Sequence, residues 1–443
     1  VQNGDDITDE VGTQSAHSGP TVGVVGAGLS GLSATHSLAS MEADVRTFEA
    51  AGRPGGVVRS TTIDDTVLEH GPQRLRLSAP LKSLVEELDL TEELRFGHED
   101  QPLYAFYKGS LRPMPLSIRH AITTDLLSWR GKARILAEPL TESARPDETV
   151  HEYLARKFGT EAATRFMGPL YSGLYGTDPD EMYVEYSLGR ALDHMGIEGS
   201  ILLTVAKRLL EGIDTPPIVT FERGVKTLPD AMYDANADRI ALDTAVTGIE
   251  QDGERFRIVS EAGTHTVDSV VLTTPAPTAA DLLAGIDEPA ADVLARFNYN
   301  PIGVVHLESD FDGEGHGFHV IDDGYVTNGS TWNHSMLDRD GIYTSYVGSG
   351  DETVLDAPDA EIGRRAAAEF EEITGTSAEV LSVNVIRPGM PAYDRSWSAL
   401  DNLSLPDGIT ICSSYTSRAG VIGRIVDGRR TAKQVVSKSA GRH

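Results

Sequence analysis

Apolar and polar positions along this chain switch between two periods. An unbroken apolar run at residues 22–25 meets a glycine, and residues 29–40 then repeat apolar positions at helical spacing. That pattern predicts a buried strand turning into a helix. "ADVRTFEA" (43–50) predicts a second strand, with apolar residues at Val45 and Phe48. "LKSLVEELDL" (81–90) and "DAEIGRRAAAEFEEITG" (359–375) predict amphipathic helices, the latter with Asp359 as N-cap and Gly375 as its stop. One long helix is predicted over 149–171, opened by a capping box at Thr149 and Glu152. Residues 245–274 alternate, with turns at Asp252-Gly253 and Ala262-Gly263. They read as a β-meander feeding the buried strand "SVVLTT". "GITICSS" (408–414) predicts a last buried strand and "IVDGRRTAKQVVSK" (425–438) a last helix.

The first turn carries chemistry. "VGVVGAGLSGL" (22–32) sets Gly26, Gly28 and Gly31 at G-x-G-x-x-G spacing between strand and helix, with Ala27, Leu29 and Ser30 between them. In such a unit the first glycine permits a tight turn, the second lets the backbone approach a pyrophosphate, and the third lets helix and strand pack closely. Backbone N–H groups and the helix N-terminus then face the phosphates. Glu49, followed by Ala50, ends the second strand at the place where a carboxylate takes ribose hydroxyls. A carboxylate there repels a 2′-phosphate, so the glycines and Glu49 argue against NADP and leave NAD and FAD open.

Elements of this type recur at the start of the chain, near 240–275 and at the end, with other material between. The order implies a discontinuous nucleotide domain (21–103, 222–298 and 386–443). A second domain is inserted in two pieces, a helical one (104–221) and a further one (299–385). Residues 1–20 are polar and Gly-rich, lack the pattern of a secretory signal, and read as a disordered tail.

Charge narrows the classes. The net charge is −29, from 38 Lys+Arg against 67 Asp+Glu, and it is spread along the chain. Nucleic-acid binding needs a basic footprint and is excluded. With 8 Lys, 30 Arg and 36 Asp, the diffuse acidic surface reads as an adaptation to high salt. Cys412 is the single cysteine, which rules out an internal disulfide and a Cys-based metal site and suits a reducing, cytoplasmic setting. No H-E-x-x-H spacing or G-x-S-x-G elbow occurs, so no metal site is assigned and no hydrolase is expected.

Further segments carry a resemblance. "RPGGVVRS" (53–60) resembles the R-x-G-G-x-x-x-S/T segment of flavoproteins in the amine oxidase superfamily. "ITICSSYTSRAGVIGRIVDGRRTA" (409–432) is similar to the last FAD segment of the same superfamily. Members usually have glycine where Ser413 stands, and an acidic or Asn-Asp pair near Gly423-Arg424. Within that superfamily the chain resembles protoporphyrinogen oxidases, through "GGVVRS", "EHGPQRLR" (69–76), "SGLYGTDPDEM" (172–182), "FERGVKTLPDAM" (221–232), "VVLTTPAPTAADLL" (270–283), "PIGVVHLE" (301–308), "GFHVI" (317–321) and "PAYDRSW" (391–397), in order. The resemblance spans about residues 21–438.

It implies an α/β fold, a Rossmann-like (GR2-type) FAD-binding domain with an inserted α+β substrate domain. It implies noncovalent FAD held by Gly26, Ala27, Gly28, Leu29, Ser30, Gly31, Glu49 and Ala50, and by Arg53, Gly55, Gly56 and Val57. Gly71, Pro72, Gln73, Arg74, Val246, Ser414, Tyr415, Gly420, Val421 and Ile422 complete the cofactor set. The implied reaction oxidises protoporphyrinogen IX or a related porphyrinogen, in heme biosynthesis, by hydride transfer to FAD, with O2 or another final acceptor. No side-chain base is expected, and no catalytic residue is nominated. Tyr104, Gly173, Tyr175, Phe318 and Tyr393 are the expected substrate contacts. Tyr104 stands where the family can hold an arginine for a substrate carboxylate, and Arg74, Arg76, Arg112 and Arg119 are the alternative cations.

The segment 111–129 reads as an amphipathic helix, buried or lying on a membrane surface. A monomer and a homodimer are both open. A flavin amine oxidase is the first rival, but the lysine many of those use is missing, since none occurs between Lys226 and Lys433. A carotenoid-type desaturase would show a longer chain and more apolar inserts. A non-enzymatic FAD-binding sensor or assembly partner is the rival of another class. The acidic surface generates a salt prediction. The melting temperature in ~1 M potassium chloride, where the Debye length is ~3 Å, is expected several degrees above its value in dilute buffer. A melting temperature that is flat or falling with salt contradicts the salt adaptation.

Overall fold

The structure is a computed structural model that describes residues 19–197, 199–211, 215–348, 352–416 and 420–440. The proposed tail therefore lies almost wholly outside the described residues, as do Ser417, Arg418 and Ala419 of the last glycine-rich segment.

At the centre is a five-stranded sheet in the order Ile240–Ala241, Asp44–Phe48, Thr21–Val25, Ser269–Leu272, Ile409–Ile411. Every pairing in it is parallel, with Val24 set between Thr47 and Val271. Strands buried on both faces need apolar residues at consecutive positions. Val22, Val24, Val270, Val271 and Leu272 are fully buried. Three stretches far apart in sequence thus supply one sheet. The helices Leu29–Ser40 and Gly420–Ala440 lie against each other. Their contact is close because Gly428 has no side chain: a Cβ there would stand 2.6 Å from Ser33 Cβ. Ser33 Oγ donates to the Ile425 carbonyl at 2.8 Å across the same contact. The meander forms as an antiparallel sheet of Val246–Asp252, Arg255–Ser260 and Gly263–Val267. Its Ile258 reaches the bare backbone of Gly23, where a Cβ would meet Ile258 Cδ1 at 2.1 Å.

The second large sheet has seven strands, in the order Glu379–Pro391, Tyr299–Glu308, Ile342–Val347, Thr327–Trp332, Gly317–Val320, Leu103–Phe106, Leu111–Pro113. Residues 103–113 therefore pair into this sheet instead of opening a helical unit at 104, and its edge strand runs past 385 to Pro391. Strand alternation gives the sheet two unlike faces. Phe318, Trp332 and Tyr343 point one way and pack with Phe370 of the helix Asp359–Thr374. His306, His319, Thr331, Thr344 and Tyr346 occupy the alternate positions.

A run of helices follows the strand Leu111–Pro113 in the chain. The capping box at Thr149 and Glu152 is formed and opens the helix Val150–Phe158. The predicted long helix stops there because Gly159 takes φ 95°, a conformation that favours glycine. A Cβ at that position would also meet Arg134 Cγ at 2.6 Å. A wide π-type turn, Ala163–Met167, then leads into the helix Gly168–Tyr175. The expected helix over 111–129 is broken as well, into Ile118–Thr123 and Trp129–Leu136, capped by the Ser117 and Ser128 hydroxyls. In the helix Asp359–Thr374 the cap position is Pro358, and Asp359 begins the first turn. The last helix starts at Gly420, five residues before its expected start. Filling the Gly428 contact tests the helix pairing. Gly428→Val is expected to lose about 1–3 kcal/mol of stability, read as a lower denaturant midpoint; an unchanged midpoint would contradict the close approach.

Candidate active site

Two glycine segments meet at the first turn. Gly26 takes φ 101° and donates its N–H to the Phe48 carbonyl at 2.8 Å. At Gly31 a Cβ would stand 1.9 Å from the Gly26 carbonyl oxygen, so helix and turn touch. Gly28 has an ordinary backbone, φ −68° and ψ 176°, and open space where a side chain would go. Gly55 donates its N–H to the Ala27 carbonyl at 2.8 Å, and a Cβ on Gly56 would lie 3.3 Å from Gly28 Cα. Arg53 Nη1 ties this second loop by donating to the Gly56 carbonyl at 2.9 Å. The two segments make a bare floor of backbone, into which a pyrophosphate fits without meeting side chains.

Glu49 stands beside the floor with both oxygens fixed. Its Oε2 accepts from the Ala27 N–H at 2.6 Å and its Oε1 from the Ala51 N–H at 2.9 Å. Each oxygen keeps a lone pair for a ribose hydroxyl. The Thr244 N–H donates to the Glu49 carbonyl at 2.7 Å, which brings Val246 to this end. Ala27, Leu29 and Ser30 are buried, whereas Ala50 and Val57 are exposed. Arg59 Nε and Thr274 Oγ1 are buried with no hydrogen-bond partner among the described residues. Each such orphan costs about 1–3 kcal/mol until a ligand satisfies it. The donor set and the open floor fit a dinucleotide.

The other expected cofactor residues divide. Gly71 sits under Val57, whose carbonyl oxygen would be 2.3 Å from a Cβ there, and Pro72 follows it. The Gln73 side chain is used within the protein. Its Nε2 donates to the Glu69 carbonyl at 2.8 Å, and its Oε1 accepts from Asn333 Nδ2 at 3.0 Å and Thr344 Oγ1 at 3.1 Å. At the other end of the chain, Ser413 Oγ donates to the Thr274 carbonyl at 2.8 Å and Ser414 bonds the Tyr299 side chain. Tyr415 is fully buried against Phe297, and its hydroxyl has no hydrogen-bond partner among the described residues. Gly420 is exposed at φ 84°, and Val421 and Ile422 pack beside Leu29 and Leu32. The Cys412 thiol is fully buried, donates to Asp427 Oδ2 at 3.6 Å, and is pushed by burial up to about 12.

The expected substrate residues also divide. Tyr175 stacks on Tyr171, with centroids 5.8 Å apart, and meets Tyr393 edge-on at 4.9 Å. Tyr393 in turn stacks on Trp397 at 4.6 Å. Burial pushes the Tyr393 phenol up to about 12 and the Tyr171 phenol higher, so both stay neutral. Gly173 lets the helix Gly168–Tyr175 reach the large sheet, since a Cβ there would meet His319 Cε1 at 2.2 Å. Tyr104 and Phe318 are corrections. They pair in register and lie on the aromatic face, Tyr104 against Trp332 at 5.4 Å and Phe318 fully buried. The next residue on the strand, His319, faces Gly173 instead.

His319, Tyr346 and Arg74 each keep some accessible surface while protein surrounds them. Arg74 lies within electrostatic reach of both His319 and Tyr346, and His319 meets the helix Gly168–Tyr175 at Gly173. Burial, then the nearby Arg74 charge, lowers His319 to about 4, so its imidazole is neutral. Tyr346 lies 3.3 Å from Thr331 Oγ1. Of the four candidate cations, Arg76 pairs with Glu99 at 2.7 Å, Arg112 pairs with Asp125, and Arg119 is exposed. His319 and Tyr346 were missed in the sequence. For His319 the signal was the alternation of "GFHV", which sets it between Phe318 and Val320; "IYTSYV" has no such alternation, since Thr344 and Ser345 are adjacent polar residues.

A parallel sheet assembled from three parts of the chain and a double glycine floor at the end of its first strand define a dinucleotide-binding enzyme. The chain belongs to the flavin containing amine oxidoreductase family, whose model matches residues 29–436. It is an FAD-dependent enzyme, similar to the protoporphyrinogen oxidases of that superfamily. The chloroplastic protoporphyrinogen oxidase of Oryza sativa subsp. japonica is 26% identical over 471 residues, 94% of this chain and 87% of the relative. The coproporphyrinogen III oxidase of Staphylococcus aureus is 26% identical over 416 residues, 84% of this chain and 88% of the relative. Among solved structures, a protein of Exiguobacterium sp. 255-15 described as a protoporphyrinogen oxidase superposes with TM-score 0.76 at 21% identity, over 96% of this chain and all of that one. Cyclohexylamine oxidase from Brevibacterium oxydans shares the fold at TM-score 0.70 and 16% identity, over 95% of this chain and all of that one.

Gly28→Val separates the floor's function from its fold. The side chain has an allowed backbone and room in the protein, but fills the pyrophosphate's place. FAD affinity is expected to fall at least about tenfold, ~1.4 kcal/mol, while the FAD-free melting temperature stays near that of the parent. Retained affinity would show that the cofactor lies elsewhere.

Proposed function

We propose that this enzyme oxidises a porphyrinogen, protoporphyrinogen IX or a close relative, with FAD held noncovalently by the double glycine floor and Glu49. The observation that carries the reading is the approach of the stacked Tyr171, Tyr175 and Tyr393 rings and the polar face of the large sheet, which meet where Gly173 faces His319. Stacked tyrosines on one side and alternating polar positions of the large sheet on the other suit a wide, flat macrocycle with polar edges. The relatives named as porphyrinogen oxidases, which match most of this chain, support the same substrate class. When bound, FAD supplies the two-electron acceptor for the porphyrinogen.

The chain's own residues bind, orient and exclude water. Tyr171, Tyr175 and Tyr393 give broad apolar walls, and the two phenols raised by burial keep their protons at neutral pH. His319 presents a neutral imidazole, which hydrogen-bonds without adding charge. A lysine of the amine oxidase type is missing from this stretch of sequence, which disfavours an amine substrate. The Cys412 thiol is held inside the core by Asp427 and is a poor nucleophile at neutral pH, consistent with noncovalent FAD. No helix among the described residues is long and apolar enough to cross a membrane. Trp129, Leu136, Leu140, Leu203 and Leu210 are exposed on the helical insert, and we assign that face to peripheral membrane contact.

Anaerobic mixing with protoporphyrinogen IX or coproporphyrinogen III is expected to bleach the flavin absorbance band. No bleaching by either removes the porphyrinogen reading. Unfolding in guanidinium chloride followed by filtration is expected to release the FAD; flavin retained on the denatured chain contradicts the noncovalent assignment.

A further inference from the structure

We infer that Arg74 binds a carboxylate of the substrate, supplying from the segment after Gly71 the cation that the Tyr104 position lacks. This rests on the porphyrinogen reading, because such macrocycles carry carboxylate side arms. Gln73, one residue earlier, is locked by bonds to Glu69, Asn333 and Thr344, so the backbone delivers Arg74 in a fixed place. Arg74 makes no hydrogen bond or ion pair with any described residue, although protein surrounds it. Its electrostatic neighbours are Tyr346, Arg76, Glu99, His316 and His319.

None of these neutralises it. His316 donates toward the His98 carbonyl at 2.7 Å, and His319 is neutral. Glu99 is taken up by Arg76 and the Ile218 N–H. An enclosed cation without a counter-charge is unfavourable until an anion arrives, and a planar guanidinium suits a carboxylate through paired hydrogen bonds.

The test titrates the FAD-loaded protein with protoporphyrin IX as the free diacid and as its dimethyl ester, followed by porphyrin fluorescence. The parent is expected to bind the diacid about 10- to 100-fold more tightly than the ester. Arg74→Gln is expected to remove that preference with unchanged FAD content, and Arg74→Lys to keep part of it. A parent that binds both forms alike, or neither, overturns the inference. So does an Arg74→Gln variant that keeps the preference, or one that loses FAD. Flavin reduction by protoporphyrinogen is scored separately: a preserved carboxylate preference without reduction removes the oxidation reading and leaves the subsite.

Discussion

The strand Thr21–Val25 is held between Asp44–Phe48 and Ser269–Leu272, and the site depends on that parallel arrangement. Its C-terminal end fixes Gly26 against Phe48, and through the Gly55 N–H it fixes the second glycine loop against Ala27. Thr273 continues the neighbouring strand and donates its hydroxyl to the Val25 carbonyl at 2.8 Å. The dinucleotide floor is thus a product of strand register. Shifting Thr21–Val25 against Asp44–Phe48 would separate Gly28 from Gly56, which now lie almost in contact.

The inserted material builds the rest of the enzyme on that frame. The large sheet spends its two faces differently. One buries aromatic rings under the helix Asp359–Thr374 and stabilises the sheet through apolar burial. The other stays polar and faces the helix Gly168–Tyr175. The link between frame and insert is polar and buried. Arg339 pairs with Glu69 at 2.9 Å, Glu69 accepts from the Val225 N–H at 3.0 Å, and His306 meets the Glu69 carbonyl at 2.9 Å. Burial raises the Glu69 carboxyl while Arg339 lowers it. Losing one partner there would leave a buried charge uncompensated, which costs more than an exposed pair contributes.

Local chemistry was legible in the sequence and long-range placement was not. The turn at Gly26, Gly28 and Gly31 and the place of Glu49 beside it were readable because they form within one strand–helix–strand unit. The Thr149–Glu152 box was readable for the same reason. The end of that helix was not, since Gly159 is set by a tertiary contact with Arg134. Nor was the partner of Leu103–Phe106, a strand more than 200 residues away. The resemblance gave Tyr104 and Phe318 as substrate contacts, but it carried position without face. One step along the strand exchanges the aromatic side for the polar one. Arg74 emerged only when its three rival arginines were seen paired or exposed.

The central claim is that the split FAD frame and the aromatic interior make one porphyrinogen-oxidising site. Its most direct measurement is the rate of porphyrin fluorescence growth from protoporphyrinogen IX in air, comparing FAD-loaded protein, FAD-stripped protein and free FAD. The account predicts a rate proportional to loaded protein, lost on stripping and restored by adding FAD back. A rate with loaded protein no greater than that with free FAD would contradict it.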